Sequence, residues 1–433
     1  EDGVWIYFGS QSGTAEGFAK ELEEEAEGHK LKARVVDLED FDPDEFAHHK
    51  AVILVVATYG EGDPTDNAVE FYRWLQSDET PAGSLDGVHF TVMGLGNRQY
   101  VNFNTCGKVA ETEMKRLGAT CVHERGEGDD DQNIEEDFEQ WKGNGLWPAL
   151  QKVFGVAAPD GPQHEADGHA LEDAETVKAK LLLRAHVHVD TKKLPIDPLV
   201  QVGGADVLGK WYFSASLASV KSEEQLRQAV DADAGLTTKH IDFDVGKLPS
   251  LDWKTADNLE VLPRNPEETV DWFARRLGVE AELDSSLSFT RAPGVEKAVK
   301  KPFPTPCSLR DALGLYCDLC MAPGRSVVKK MAALASDGAD RAALERLAHD
   351  KEAYRWLTGD GVRLSLRELF ELLLPSADLD LGTFVQLCPR QKSRPYTIAS
   401  SSRADPKTIG LCVSMVQDKL VTLSAVVEGL AAR

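Results

Sequence analysis

Residues 51–57, Ala-Val-Ile-Leu-Val-Val-Ala, are apolar without alternation. Successive side chains of a strand point to opposite faces, so such a run needs cover on both sides. A strand with one wet face would show a polar residue at every second place. The run therefore predicts an inner strand of a parallel sheet, which requires crossover connections, usually helices. Residues 4–8 and 88–95 read as further strands, 119–123 as another and 32–36 as a weaker one. Ala15, Phe18, Ala19, Leu22 and Ala26 recur at spacings of three and four, the period of one helix face, with Gly28 as a stop. Residues 67–75, 105–117 and 135–141 follow suit. Alternating strands and helices predict a doubly wound α/β domain.

The charge divides the chain in the same place. Residues 1–150 hold 32 Asp+Glu against 12 Lys+Arg, and the other 283 hold 40 against 36, so the total of −24 splits into −20 and −4. An acidic domain repels nucleic acid and suits the docking of a basic partner. No window reaches 18 consecutive apolar residues, the length of a transmembrane helix. Position 1 is Glu, so a preceding piece with any anchor is expected to be missing. Seven scattered cysteines suggest a reducing compartment rather than a disulfide framework. Cys317 and Cys320 have C-x-x-C spacing but no second pair to complete a zinc site, and in an apolar, helix-like stretch they read as structural thiols. His48-His49 lies in a polar stretch and is expected to face solvent, and no G-x-S-x-G elbow points to a hydrolase.

Residues 155–176 hold few large apolar side chains, a linker composition that suits a hinge. Beyond it, 177–189, 211–217, 240–245 and 258–262 read as strands, 267–374 as mainly helical, and 384–388, 396–399 and 408–416 as strands again. This predicts a β-barrel in two parts, 177–266 and 376–433, interrupted by a helical insertion at 267–375.

In open α/β sheets, ligands bind beyond the carboxyl ends of the strands. Ser10, Gln11, Ser12, Gly13 and Thr14 lead from the first strand into the first helix. They offer three hydroxyls, an amide and backbone N–H groups at a helix N-terminus, which together can hold a phosphate without a lysine. The loops at 58–67 and 94–104 each place a tyrosine, Tyr59 and Tyr100, among glycines. Two such rings beside a phosphate site can sandwich a planar ligand, which points to a flavin. A fourth loop, 126–131, adds carboxylates that disfavour an anionic reduced flavin and steer a basic redox partner.

These motifs resemble the NADPH–cytochrome P450 reductase family of diflavin reductases. The resemblance rests on 10–16, 57–67, 94–97 and 128–138. It implies a flavodoxin-like fold for residues 1–154 and an FMN site there. The contacts it implies are Ser10, Gln11, Ser12, Gly13, Thr14 and Ala15, then Ala57, Thr58, Tyr59 and Gly60, then Leu95, Gly96, Asn97, Tyr100, Phe103 and Asn104, and finally Asp130. Asp129, Asp131, Glu135 and Glu136 are then the docking face for a cytochrome P450 or similar haem protein. The second half is similar more loosely. Arg394, Pro395, Tyr396 and Thr397 resemble the family's Arg-x-Tyr-Ser FAD motif, and Cys412, Val413 and Ser414 the FAD segment after it. An Arg can pair with pyrophosphate, a Tyr can stack on the ring, and a hydroxyl can reach the flavin edge.

Several positions depart from the family. Thr397, the expected catalytic residue, stands where Ser is usual, and Ala256 replaces the Gly of a barrel turn. No aromatic residue follows near Asp418, and no Gly-Val-x-[ST] turn follows Ser414. The family's NADPH domain is expected beyond Arg433, so this chain alone is not expected to oxidise NADPH at an enzymatic rate. The complete enzyme would pass electrons from NADPH through FAD and FMN to its acceptor on the cytosolic face of the endoplasmic reticulum. Other diflavin reductases, of the sulfite, methionine synthase or nitric oxide synthase type, share the architecture. A single-flavin carrier with a non-catalytic second domain is the rival of another class.

Overall fold

The computed structural model describes residues 3–11, 13–59, 62–98, 100–130, 134–156, 174, 177–178, 186–193, 218–227, 236–248, 252–290, 301–358, 364–377 and 379–416. The chain divides into two compact units, Glu1–Ala170 and Leu171–Arg433.

In the first unit β1 (Val4–Gly9), β2 (Ala33–Asp37), β3 (Ala51–Tyr59), β4 (Asp63–Pro64), β5 (His89–Gly96), β6 (Thr120–Cys121) and β7 (Gly126–Asp129) share one sheet. Its order is β2-β1-β3-β5, with β6 and β7 both paired to β5. All pairings are parallel except that of the short β4, which turns back on the end of β3. This is the flavodoxin-like order, with its switch point between β1 and β3.

The lack of alternation in β3 has its cause in the packing. Ile53 and Val55 join Ile6, Phe8 and Met93 on one face. That face is covered by α1 (Thr14–Ala26), α5 (Ile134–Gly143) and α6 (Leu146–Phe154) through Phe18, Leu22, Phe138, Trp141 and Trp147. Val52, Leu54 and Val56 join Phe90 and Val92 on the other face. There α2 (Pro43–Phe46), α3 (Val69–Leu75) and α4 (Thr105–Arg116) supply Phe46, Phe71, Tyr72, Ala110 and Met114. Each such large side chain contributes about 1.5–3 kcal/mol by leaving water.

Three expectations change here. The strand expected at 119–123 is only Thr120–Cys121, and the edge resumes as β7 within the expected acidic loop. Gly126 and Gly128 allow this, because a Cβ on either would press into Met93, Trp141, Leu95 or Ile134. The third concerns His49, which is buried rather than solvent-facing. Its ring stacks on Trp5 with centroids 4.1 Å apart, and its Nε2 lies 2.8 Å from the Tyr7 hydroxyl. Burial pushes its pKa down to about 4.

The second unit combines small antiparallel sheets with a helical body. β8 (His186–Lys193), β12 (Ser285–Thr290) and β13 (Cys307–Ser308) form one sheet. β9 (Ser219–Arg227), β10 (Leu236–Asp244) and β15 (Thr408–Val416) form a second, and β11 (Asn258–Val261) pairs with β14 (Arg394–Thr397). The strand expected at 211–217 and most of the linker lie outside the described residues. The strand expected at 177–189 begins only at His186, with helix at 177–178, and β12 and β13 interrupt the expected helical stretch. The 384–388 stretch, expected as a strand, belongs to a helix, Leu381–Leu387. Asp380 caps that helix by accepting the Thr383 N–H at 2.9 Å. Phe384 packs inside against Phe273 and Phe370, so a buried helix face carries the apolar run read as a strand.

The C-x-x-C segment is also not helical. Five residues of π-helix, Ala312–Tyr316, end at Cys317, which bridges to Arg390. Cys317 is buried, Cys320 is exposed, and all seven cysteines are free thiols.

Candidate functional site

The carboxyl ends of β1, β3 and β5 lie side by side, and the loops leaving them are tied together by polar side chains. Asn67 is the central tie. Its Oδ1 accepts the Ser10 N–H at 3.0 Å and the Thr65 hydroxyl at 2.7 Å. Its Nδ2 donates to Asp37 Oδ1 at 2.8 Å and to the Phe8 carbonyl at 3.3 Å. Gln11 adds a second tie, donating to Asp66 Oδ2 at 2.7 Å and accepting the Asp66 N–H at 3.3 Å. The loop after β1 is thus clamped to the loop after β3.

Within the first loop, Ser10 Oγ accepts the Gly13 N–H at 2.9 Å. Gly13 has φ of +93°, in the left-handed region, and α1 starts there with no side-chain cap. Uncapped N–H groups at the start of a 13-residue helix present partial positive charge to an anion. Thr14 is half-buried at this end, and Ala15 is fully buried. Ser12 and Gly60 lie outside the described residues.

On the second loop, Ala57 and Thr58 are half-buried, and Thr58 Oγ1 accepts the Cys106 N–H at 3.1 Å. Tyr59 follows at the end of β3 with 41% of its surface exposed. On the third loop Tyr100 is 44% exposed and bonded through its N–H to the Asn97 carbonyl at 3.1 Å. Two large aromatic side chains thus stand in water on loops that leave adjacent strands. Exposed rings of this size gain by stacking on a flat partner.

The remaining residues of that loop lie deeper. Leu95 is buried in the core, and Gly96 is closed over by Asn104 and Phe103. Phe103 lies beneath two cations, with Arg98 Cζ 4.3 Å and Lys108 Nζ 5.6 Å from its ring centre. Asn104 is fully buried at φ of +58° just before α4, and no group among the described residues bonds its Oδ1. A Cβ on Gly107 would come within 2.9 Å of Gly94 Cα, so two glycines let α4 press directly on β5. Asp130 is exposed and donates its N–H to the Gly96 carbonyl at 2.8 Å.

The expected docking face is divided. Glu135 and Glu136 are half-buried, and Asp131 lies outside the described residues. Asp129 is 3% exposed and cannot meet a partner at the surface. Its carboxylate instead receives the Arg98 N–H at 3.0 Å and faces Arg98 Nε at 3.2 Å. Its own N–H goes to Asp137 at 2.8 Å, and burial raises the pKa of the Asp137 carboxyl.

The candidates of the second unit sit on two strand pairs. Arg394, Pro395 and Thr397 are exposed on β14, while Tyr396 is half-buried against a small core of Trp253, Ile398, Ile409 and Leu411. Thr397 Oγ1 lies 3.4 Å from Asn258 Oδ1. Cys412 and Ser414 are exposed on β15, and Val413 is half-buried between them. Cys412 Sγ lies 3.6 Å from His240 Nδ1. Two residues absent from the sequence reading set the approach to β14. Buried Asn265 donates to the Leu313 and Cys317 carbonyls at 2.7 and 2.6 Å, and Gln391 reaches the Pro263 carbonyl at 3.2 Å.

Known proteins bear on both units. Residues 6–141 match the family model described as flavodoxin. Residues 209–432, just over half of the chain, match that of the FAD binding domain. The chain belongs to the FAD binding domain family. This family member, with its flavodoxin domain in front, is 32% identical over 424 residues to the NADPH–cytochrome P450 reductase of Homo sapiens. The match takes in 96% of this chain and 59% of that relative. The reductase of Mus musculus gives the same figures, and that of Salmo trutta is 30% identical over 425 residues, covering 96% of this chain and 66% of its own. The chain spans about three-fifths of the length of most of these relatives.

Asn67, Arg98, Asn265 and Gln391 carry much of the geometry described above, yet none was expected as a site residue. For Asn67 the only sequence signal was its place at the end of the second loop. For the others nothing local marks a buried tie.

Proposed function

We propose that the chain carries the FMN and FAD sites of a diflavin reductase, of the kind that passes electrons from NADPH to a cytochrome P450 or similar haem protein. One observation supports this above the rest. An uncapped helix N-terminus and two exposed tyrosines stand together at the carboxyl ends of β1, β3 and β5. That donor set fits a phosphate joined to a flat ring system. In this reading Ser10, Gln11, Gly13 and Thr14 hold the phosphate, and Tyr59 and Tyr100 stack on the ring. Ala57, Thr58, Gly96 and Asn97 line its edge through backbone groups. Leu95 and Ala15 act only through backbone, because their side chains belong to the core.

In the second unit Arg394 pairs with the FAD pyrophosphate, Tyr396 stacks, and Thr397 presents its hydroxyl to the flavin edge. The exposure of Arg394 and Thr397 on β14 leaves room for a ligand. When bound, the flavins supply the one- and two-electron chemistry, and the protein positions them and tunes their potentials. The proposed limits are an FMN domain at 1–154, a hinge at 155–176, a FAD-type barrel at 177–266 and 376–433, and a helical insertion at 267–375. Docking of a basic haem protein falls to Asp131, Glu135 and Glu136, with the exposed Asp130, first expected as an FMN contact, in place of the buried Asp129. Action at the cytosolic face of the endoplasmic reticulum rests on likeness to the family alone. Among the described residues no helix is long and apolar enough to cross a membrane.

Release and chromatography of flavin from the purified chain tests the proposal. About one FMN and one FAD per chain are expected, as two sites of one flavin each require. FMN alone would replace the diflavin reading with that of a single-flavin carrier. No flavin, even after incubation with both, would overturn the proposal. Tyr59→Ala and Tyr100→Ala are expected to lose FMN and keep FAD.

A further inference from the structure

We propose that Arg98 is the positioning residue of the FMN loop and that Asp129 serves it from inside the fold. The inference rests on the FMN reading above. Arg98 lies on the loop between Asn97 and Tyr100, which are both proposed FMN contacts. At the tip of this loop Val101, beside Tyr100, is wholly exposed. Arg98 is held by both its backbone and its side chain. Its N–H donates to Asp129 Oδ1 at 3.0 Å, and its Nε lies 3.2 Å from Oδ2. A second guanidinium nitrogen lies 3.8 Å from Glu127 Oε2. The guanidinium lies over the Phe103 ring, with Cζ 4.3 Å from the ring centre. Lys108 closes the loop from the helix side by donating to the Phe103 carbonyl at 2.9 Å.

The partner carboxylate is rigid as well. Asp129 ends β7, is buried, and has its N–H on Asp137 Oδ2 at 2.8 Å. A pair with one buried member is hard to break, because loss of the cation leaves an uncompensated charge in the fold. The clamp therefore links the position of Asn97 and Tyr100 to the sheet edge. It has an electrostatic consequence too. A cation on a loop that holds a flavin would favour added electron density on it, and in this acidic domain Arg98 offsets the field of its neighbours.

The test uses the whole 433-residue chain. It measures FMN affinity by fluorescence, the midpoint potential of bound FMN by anaerobic titration, and the salt dependence of electron transfer from the dithionite-reduced chain to cytochrome c. Arg98→Ala is expected to weaken FMN binding by about tenfold and to shift the potential negative. Arg98→Lys keeps the charge and should retain most of the potential while losing part of the affinity. Asp129→Asn should shift the potential positive, with the salt dependence of cytochrome c reduction unchanged. Asp130→Asn, at an exposed position, should weaken that salt dependence. The clamp is overturned if Arg98→Ala binds FMN with wild-type affinity and potential. It is overturned equally if Asp129→Asn changes only the salt dependence, as a docking residue would. If Arg98→Ala fails to fold, Arg98→Lys and Asp129→Asn decide through the same potentials. A wild-type chain that binds no FMN overturns the flavin reading itself and this proposal with it.

Discussion

The two candidate sites are built in opposite ways. In the first unit the site is made of loops that leave neighbouring parallel strands, and each loop is tied to the next by a buried or half-buried side chain. Asn67 joins the first two, Cys106 and Thr58 join the base of α4 to the second, and Asp129 holds the third. In the second unit the candidates lie on the strands themselves, with Arg394, Pro395, Thr397, Cys412 and Ser414 exposed and Tyr396 and Val413 half-buried. The register Asn258↔Thr397 pairs residues 139 apart in sequence. A parallel sheet gathers its loops at one end by topology alone. An antiparallel pair made across a long helical insertion depends on that insertion to bring its members together. The first site should therefore respond to substitution through stability and ligand affinity at once, and the second through ligand affinity alone.

The sharpest test of that contrast is Asn67→Ala. It removes the acceptor of the Ser10 N–H and one donor to Asp37 Oδ1, which keeps the Glu39 N–H at 2.9 Å, and should cost the first unit about 3 kcal/mol of stability along with most FMN binding. Urea unfolding followed by tryptophan fluorescence measures the first effect, and flavin retention on gel filtration the second. A variant of wild-type stability would break the claim that the loops are tied.

Arg394→Ala in the second unit is expected to behave differently. FAD affinity should fall about tenfold or more with the loss of a charge-assisted pair, while stability stays within about 0.5 kcal/mol, since the side chain is exposed. Equilibrium dialysis with FAD and a melting curve report the two quantities separately. A large drop in melting temperature would show that β14 is a structural strand first.

A third test concerns pH. His49 is buried and takes up its proton only near pH 4, whereas in the unfolded chain it does so from about 6.5 downward. The unfolded state therefore binds the extra proton first, and stability should be lost as pH falls from 6.5 toward 4. No such contribution arises above 6.5. His49→Gln should flatten that part of the melting-temperature profile of the first unit and leave the second unit unchanged.

The smallest effect is a gain. Ala256 sits at φ of +72°, in a turn whose N–H groups bond across to Ile398 and Lys254. A Cβ is unfavourable there, so Ala256→Gly should stabilise the second unit by about 1 kcal/mol. Calorimetry would detect it as a rise in the transition of that unit alone.

Much of the first unit was legible because its signals are local. The apolar runs at 4–8 and 51–57 require cover on both faces, 88–95 shows the period of a strand, and each leads directly into its own loop. The helix α6 was legible too, though unread: Leu146, Trp147 and Leu150 share a face between Gly145 and Gly155, both in left-handed conformation. Thr408–Val416 was expected to the residue because its strand character runs unbroken.

What the sequence by itself determined is thus the parallel sheet, the loops at its carboxyl end and the strands with continuous apolar character, since each depends on neighbours a few residues away. Only the tertiary structure decided that 384–387 is helical, that His49 lies beneath Trp5, and that Asp129 points inward while Asp130 faces water. Adjacent carboxylates look alike in a sequence. Which one is buried depends on whether a distant cation such as Arg98 arrives to pair with it, and that is settled when the sheet closes.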